Sequence, residues 1–238
     1  MKNQQKAALE YELISTEDGS SSLRDLQTGE TFHSTHGALT ESQLVFIQNG
    51  LEYLIEKESI RTINLLEIGF GSGLNALLSL SVAKIRSIQI NYTAIEAFPL
   101  RSEQVEKLNF VDQHLLEPFK SEFRDFHSSE ELEKSFCEGL FHLKKMKVDL
   151  LAFEPAKSHF NLIFFDAFSA NVQPELWTKE VFQKLFHSLK SSGVLVTYSA
   201  KGIVKTALRD SGFIVERLTG PPGKRHVIRA LKSNFSEA

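Results

Sequence analysis

The sequence predicts a doubly wound α/β sheet that ends in an antiparallel β-hairpin and is preceded by an N-terminal extension. Three observations carry this. Short apolar runs that read as buried strands alternate with stretches of helical periodicity. Three of the chain's 13 glycines, Gly69, Gly71 and Gly73, fall between one such strand and one such helix. Two β-rich runs close the chain around a Gly-Pro-Pro-Gly turn.

The elements follow in order. Residues 1–60 are expected to pack on the core as an extension; in them Thr40 and Gln43 suggest a capping box for a helix with Leu44, Ile47, Leu51 and Leu54 on one face. Residues 63–68 read as a buried strand, the glycines as the turn, and residues 74–80 as the apolar start of a helix. A β-rich run over 88–96 and a helical stretch over 100–108 complete a βαβα alternation. Residues 117–139, charged and punctuated by Phe, read as an inserted helical segment. Strands are expected over 141–151, 160–165 and 193–198. Pro174 is expected to open a helix with Val181, Phe182, Leu185, Phe186 and Leu189 as its apolar stripe. A further helix from Lys201 should stop at Gly212, before strands over 213–218 and 226–231.

Composition narrows the class. The 238 residues are 42% hydrophobic and 24% charged, with 19 Phe against one Trp, which excludes fibrous and disordered chains. The single cysteine, Cys137, excludes an internal disulfide and a Cys-based zinc cluster, and suits a reducing cytoplasm. The N-terminal run MKNQQKAALEYELIS lacks an apolar leader core, and no stretch approaches the roughly 18 apolar residues of a membrane span, so a soluble, unexported protein is expected. Charge is uneven. Residues 1–200 carry 19 Lys and Arg against 27 Asp and Glu, net −8, whereas residues 201–232 carry 8 against 2, net +6. A basic C-terminal lobe of this kind suits a polyanion or a solvated face.

The glycine turn lets backbone approach a ligand at a helix N-terminus. Its third glycine comes one residue early for the dinucleotide fingerprint, and an acid, Glu67, stands two positions before the first. A carboxylate there would repel a pyrophosphate and attract a cationic ligand. Glu67-Ile68-Gly69-Phe70-Gly71-Ser72-Gly73 resembles the E/D-x-G-x-G-x-G turn of class I S-adenosylmethionine-dependent methyltransferases, which have a Rossmann-like sheet. Glu96, ending the next strand, is placed to accept both ribose hydroxyls, and Asp149, ending the one after, to reach the adenine amino group.

After the fourth strand, the segment Asp166-Ala167-Phe168-Ser169-Ala170-Asn171-Val172-Gln173-Pro174-Glu175-Leu176-Trp177-Thr178 resembles one family closely, the methyltransferase domain of the MnmC-like tRNA wobble-uridine enzymes. Residues 35–46, the turn EIGFGSGLNAL over 67–77, EAFPL over 96–100, and the elements YSAKG over 198–202 and GPPGKR over 220–225 agree with it, whereas Ser169-Ala170 and His226 depart from its usual residues. The resemblance implies that residues 61–238 form a stand-alone methyltransferase domain without a fused oxidoreductase. It implies S-adenosylmethionine bound by Glu67, Gly69, Gly71, Gly73, Asn75, Glu96 and Asp149. The methyl would pass to the primary amine of 5-aminomethyluridine, or its 2-thio form, at the wobble position of a tRNA anticodon stem-loop, with separate enzymes supplying the aminomethyl group. Asp166 would stabilise the ammonium that develops on the attacking amine. Phe168 and Trp177 are candidates to stack on a flipped-out base, although Trp177 equally suits core packing. Lys201, Lys224 and Arg225 are candidates for the tRNA backbone, with the loop prolines expected to keep Lys224 and Arg225 out in solvent. His33 and His36 have no further ligand pattern beside them, so no metal is expected. Two rival readings stay open, a polyamine aminopropyltransferase and a non-catalytic nucleotide- or tRNA-binding module. Ser169 stands where the first would carry a second acid.

Overall fold

A computed structural model describes residues 10–112 and 115–233; the first nine residues of the polar N-terminal run and residues 234–238 lie outside the described part. Apolar runs with no polar face form strands buried on both sides. β7 (Phe160–Phe165) is of this kind, and with β3 (Thr62–Ile68), β4 (Gln89–Glu96), β6 (Phe141–Lys147) and β8 (Leu189–Thr197) it makes the parallel core of an eight-stranded sheet, with β5 (Leu132–Phe136), β9 (Ile214–Thr219) and β10 (His226–Leu231) pairing antiparallel. The spatial order is β5-β6-β4-β3-β7-β8-β10-β9. From β3 the chain first moves outward through β4 and β6 and then returns to β7 and β8 on the other side. The carboxyl ends of β3 and β7 therefore form the switch point, where open α/β sheets bind ligands.

Alternate residues of each strand enter different cores. Leu65, Leu162, Phe164, Val194 and Val196 pack on one face with helix Leu74–Arg86, in which every residue from Leu74 to Ala83 is buried. Leu66, Ile163, Phe165 and Leu195 pack on the other with helices Lys179–Ser188 and Gly202–Asp210. Each such side chain stabilises the fold by about 1.5–3 kcal/mol relative to exposure. The N-terminal region forms a hairpin, β1 (Tyr11–Ser15) with β2 (Ser21–Asp25), followed by a helical run. That run has three parts, Ala38–Ser42, a π-helical Gln43–Glu52, and Tyr53–Glu58, and its Val45, Phe46, Ile47 and Leu51 join the first core.

Several elements differ from expectation. Thr40 is not a cap: the helix begins at Ala38, and Asp18 Oδ2 in the hairpin turn accepts from both Thr40 N–H and Oγ1–H at 2.9 Å. An acid distant in sequence satisfies this helix start, so the local pattern misled. Residues 117–139 are only partly helical. After a 3-10 turn Glu117–Phe119 and helix Lys120–Phe126, the chain forms edge strand β5, whose side chains are mostly exposed and so leave no apolar signal. The helix expected over 100–108 is the single turn Ser102–Val105. Pro174 opens a 3-10 turn, Pro174–Trp177, and the helix proper starts at Lys179, where Thr178 Oγ1 accepts from Val181 N–H at 3.4 Å.

Candidate cofactor and acceptor site

β3 delivers the chain at Ile68 into the glycine turn. Gly69 and Gly71 have φ of +86° and +49°, conformations that side chains disfavour. A Cβ on Gly69 would stand 2.6 Å from the Asp166 carbonyl oxygen, and one on Gly71 3.2 Å from the Phe32 ring. The turn is thus pressed between the start of the β7 loop and the N-terminal region. Gly71 N–H donates to Glu96 Oε2 at 2.9 Å, and Phe98 N–H to Glu96 Oε1 at 2.8 Å, which fixes the Glu96 carboxylate at the end of β4. Burial raises its pKa, and these backbone donors pull the other way.

A cavity of about 540 Å³ opens along this edge of the sheet. Gly69, Gly71, Asn75, Glu96, Asp149, Asp166 and Phe168 all line it. Asp149 Oδ1 accepts from Leu151 N–H at 2.8 Å and so shapes the loop after β6. Asp166, just past β7, accepts at Oδ2 from Asn75 Nδ2–H at 2.9 Å. Burial, and then the charge of Glu41, push the Asp166 pKa up to about 7, against the opposing Asn75 hydrogen bond and Lys224 charge.

Four expectations need correction. Glu67 does not line the cavity. It is fully buried beneath the turn, where its Oε1 accepts from Asn75 Nδ2–H at 3.0 Å, and burial holds its carboxyl well above the usual range. Asn75, which lines the cavity, links it to the ligand space. Gly73, with φ of +76°, is the N-cap of helix Leu74–Arg86 and does not line the cavity either; a Cβ there would meet His127 Nε2 at 2.9 Å. Trp177 is 1% exposed, with Nε1–H donating to the Phe168 carbonyl at 2.8 Å and its ring edge-on to Phe165 at 4.8 Å. It packs the second core and cannot stack on a base. Lys224 is not a free surface cation, because its ammonium pairs with the buried carboxylate of Glu41 inside the cavity wall. Lys201 and Arg225, by contrast, are exposed.

The N-terminal region contributes wall residues that the sequence pattern did not indicate: Glu30, Phe32, His33 and Glu41. Nothing local marks them, since Phe32 and His33 meet a glycine turn far away in sequence, and Glu30 and Glu41 meet the distant Ser169 and Lys224. His33 bridges Ser22 Oγ and Ser72 Oγ at 3.1 Å each, so it ties the hairpin to the turn, and burial lowers its pKa to about 4. His36 instead pairs with Glu17, and among the described residues no group of three or more His, Cys, Asp or Glu side chains is arranged to hold a metal. No helix among the described residues is long and apolar enough to cross a membrane.

The profile of a family of S-adenosyl-L-methionine-dependent methyltransferases matches residues 111–233, just over half of the chain. The chain belongs to this family. The methyltransferase is 25% identical over 198 residues to the tRNA 5-methylaminomethyl-2-thiouridine biosynthesis bifunctional protein MnmC of Campylobacter fetus, covering 80% of this chain and 32% of that protein. It thus spans about a third of the length of the curated relatives it matches. Among solved structures it resembles MNMC2 from Aquifex aeolicus, with a TM-score of 0.76 at 24% identity over 94% of this chain and 71% of that one. A spermidine synthase from Thermotoga maritima shares the fold more distantly, with a TM-score of 0.54 at 14% identity over 98% and 82% of the two chains.

The residues present fit S-adenosylmethionine as cofactor. Backbone at Gly69 and Gly71 borders the cavity where a side chain would intrude. Asn75 Oδ1, buried and without a hydrogen-bond partner, is an acceptor suited to a cationic group. Glu96 lines the cavity and keeps acceptor capacity for a hydroxyl beyond the backbone bonds it already accepts.

Proposed function

We propose that this methyltransferase methylates the primary amine of 5-aminomethyluridine, or its 2-thio form, at the wobble position of tRNA, giving 5-methylaminomethyluridine. The observation that carries the reading is Asp166: a cavity-lining carboxyl, held by Asn75, whose pKa of about 7 suits proton exchange with an amine near neutral pH. The MnmC names of the relatives supply the substrate class. In this reading residues 61–238 form the methyltransferase domain, residues 1–60 an extension that completes the acceptor wall, and the protein works in the cytoplasm on anticodon stem-loops already carrying the aminomethyl group.

The reading gives each residue a role. When bound, the cofactor supplies an electrophilic methyl group on a sulfonium. Glu96 accepts the ribose hydroxyls, Asp149 the adenine amino group, and the Gly69–Gly71 backbone leaves room for the rest. Ionised Asp166 would take a proton from the acceptor ammonium and pass it to solvent, which frees the nitrogen lone pair to receive the methyl that the sulfonium supplies. The carboxylate so restored would stabilise the positive charge that develops on nitrogen. Phe168, half-buried at the cavity wall and edge-on to Phe32 at 5.3 Å, would meet the base in this reading. Mass spectrometry of wobble nucleosides from cells lacking the protein tests this: accumulation of 5-aminomethyluridine supports it, and an unchanged nucleoside profile would overturn it.

A further inference from the structure

We propose that Glu41 and the ring face of Tyr198 form an ammonium-recognition subsite for the acceptor amine, and that Lys224 occupies it in this structure. The inference rests on the amine-acceptor reading above and names the groups that would select the amine.

Glu41 is only 6% exposed. A carboxylate so buried needs close compensation. It has two partners: Ser34 N–H donates to Oε2 at 2.8 Å, and the Lys224 ammonium donates to Oε1. The same ammonium stands 4.2 Å from the centroid of the Tyr198 ring, a cation–π distance. Tyr198 is held in turn, with its hydroxyl donating to the Ala167 carbonyl at 3.0 Å. Glu41, Tyr198 and Lys224 all line the cavity that holds Asp166, and the charges of Glu41 and Lys224 both act on the Asp166 carboxyl.

A carboxylate beside an aromatic face recognises an alkylammonium, and the group it holds here is one. An aminomethyl substituent presents the same primary ammonium. Lys224 is free to yield the place, since its side chain is 28% exposed and stands in the turn between β9 and β10, with water a short swing away; buried Glu41 has no such exit. Glu41 would then select the cationic amine and Asp166 would take its proton, two carboxyls with separate tasks.

The test titrates the native protein and Glu41→Gln, each saturated with S-adenosylhomocysteine, with the nucleosides 5-aminomethyluridine and uncharged 5-hydroxymethyluridine. The native protein should prefer the amine by roughly tenfold or more, as expected for a charge-assisted hydrogen bond, and Glu41→Gln should lose that preference with unaltered S-adenosylhomocysteine affinity. A preference retained in Glu41→Gln overturns the subsite while leaving the amine reading in place; equal binding of both nucleosides by the native protein overturns both. A second measurement needs no variant. Acylation of Lys224 by an N-hydroxysuccinimide ester, read by peptide mass spectrometry, should rise severalfold when 5-aminomethyluridine is added. A purely structural ion pair would leave it unchanged, and that result would also overturn the proposal.

Discussion

The side-chain amide nitrogen of Asn75 lies 2.9 Å from Asp166 Oδ2 and 3.0 Å from Glu67 Oε1, so one NH₂ group bridges two carboxyls. It ties the ends of β3 and β7 together at the first turn of helix Leu74–Arg86. Asn75→Ala removes both bonds and leaves buried carboxyl oxygens unsatisfied. Stability should fall by about 1–3 kcal/mol. The acidic limb of the activity profile should also move to higher pH, because Asp166 loses a hydrogen bond that lowers its pKa. Denaturant titration and a pH series check the two parts.

Gly71→Val should abolish S-adenosylmethionine binding while the protein stays folded. The backbone has φ of +49°, and the new Cβ would stand 3.2 Å from Phe32 at the cavity wall. Calorimetric titration alongside circular dichroism decides it. Native-like affinity in a folded Gly71→Val protein would remove the turn from the cofactor site.

The parallel core was legible because residues 160–165 are apolar on both faces, because the other strands carry apolar or β-rich runs, and because three clustered glycines announce a turn. The acids at strand ends followed from the same frame: Glu96, Asp149 and Asp166 line one cavity. Glu67 was misplaced by one layer, since alternation along β3 turns its side chain beneath the turn. Edge strand β5 escaped notice because most of its residues face solvent. Glu41 and its pairing with Lys224 were hidden by distance, as no local pattern relates residues 183 positions apart.

Trp177 provides a test of packing against recognition. Its burial predicts that Trp177→Ala costs about 3–5 kcal/mol of stability. Trp177→Phe should keep most of that stability and leave tRNA affinity unaltered. A Trp177→Phe protein that folds normally but binds tRNA tenfold more weakly would restore a recognition role that the buried ring argues against.

The basic lobe is now represented by its exposed members. Lys201→Ala combined with Arg225→Ala should weaken binding to all tRNAs alike and flatten the dependence of log affinity on log salt by roughly one to two counterions. S-adenosylmethionine affinity should not change. Measurement over several salt concentrations checks this, and an unaltered slope would move the polyanion footprint elsewhere.

Asp166 carries the central claim, and its raised pKa fixes a sign in each direction. Below about 7 the carboxyl is protonated and cannot accept the amine proton, so methyl transfer should rise with pH through that value. The fold, conversely, holds that proton more tightly than the unfolded chain, so stability is lost as pH rises from the ordinary carboxylate range to about 7. Asp166→Asn removes that cost, so its inactivity would not come from unfolding. The most direct measurement is methyl transfer from S-adenosylmethionine to tRNA bearing 5-aminomethyluridine at the wobble position, with nucleosides read by mass spectrometry. The native protein should form 5-methylaminomethyluridine, and Asp166→Asn should bind the cofactor normally while losing roughly 10² to 10³ in rate. Cofactor binding with no methylated wobble nucleoside, or near-native turnover by Asp166→Asn, would contradict the account.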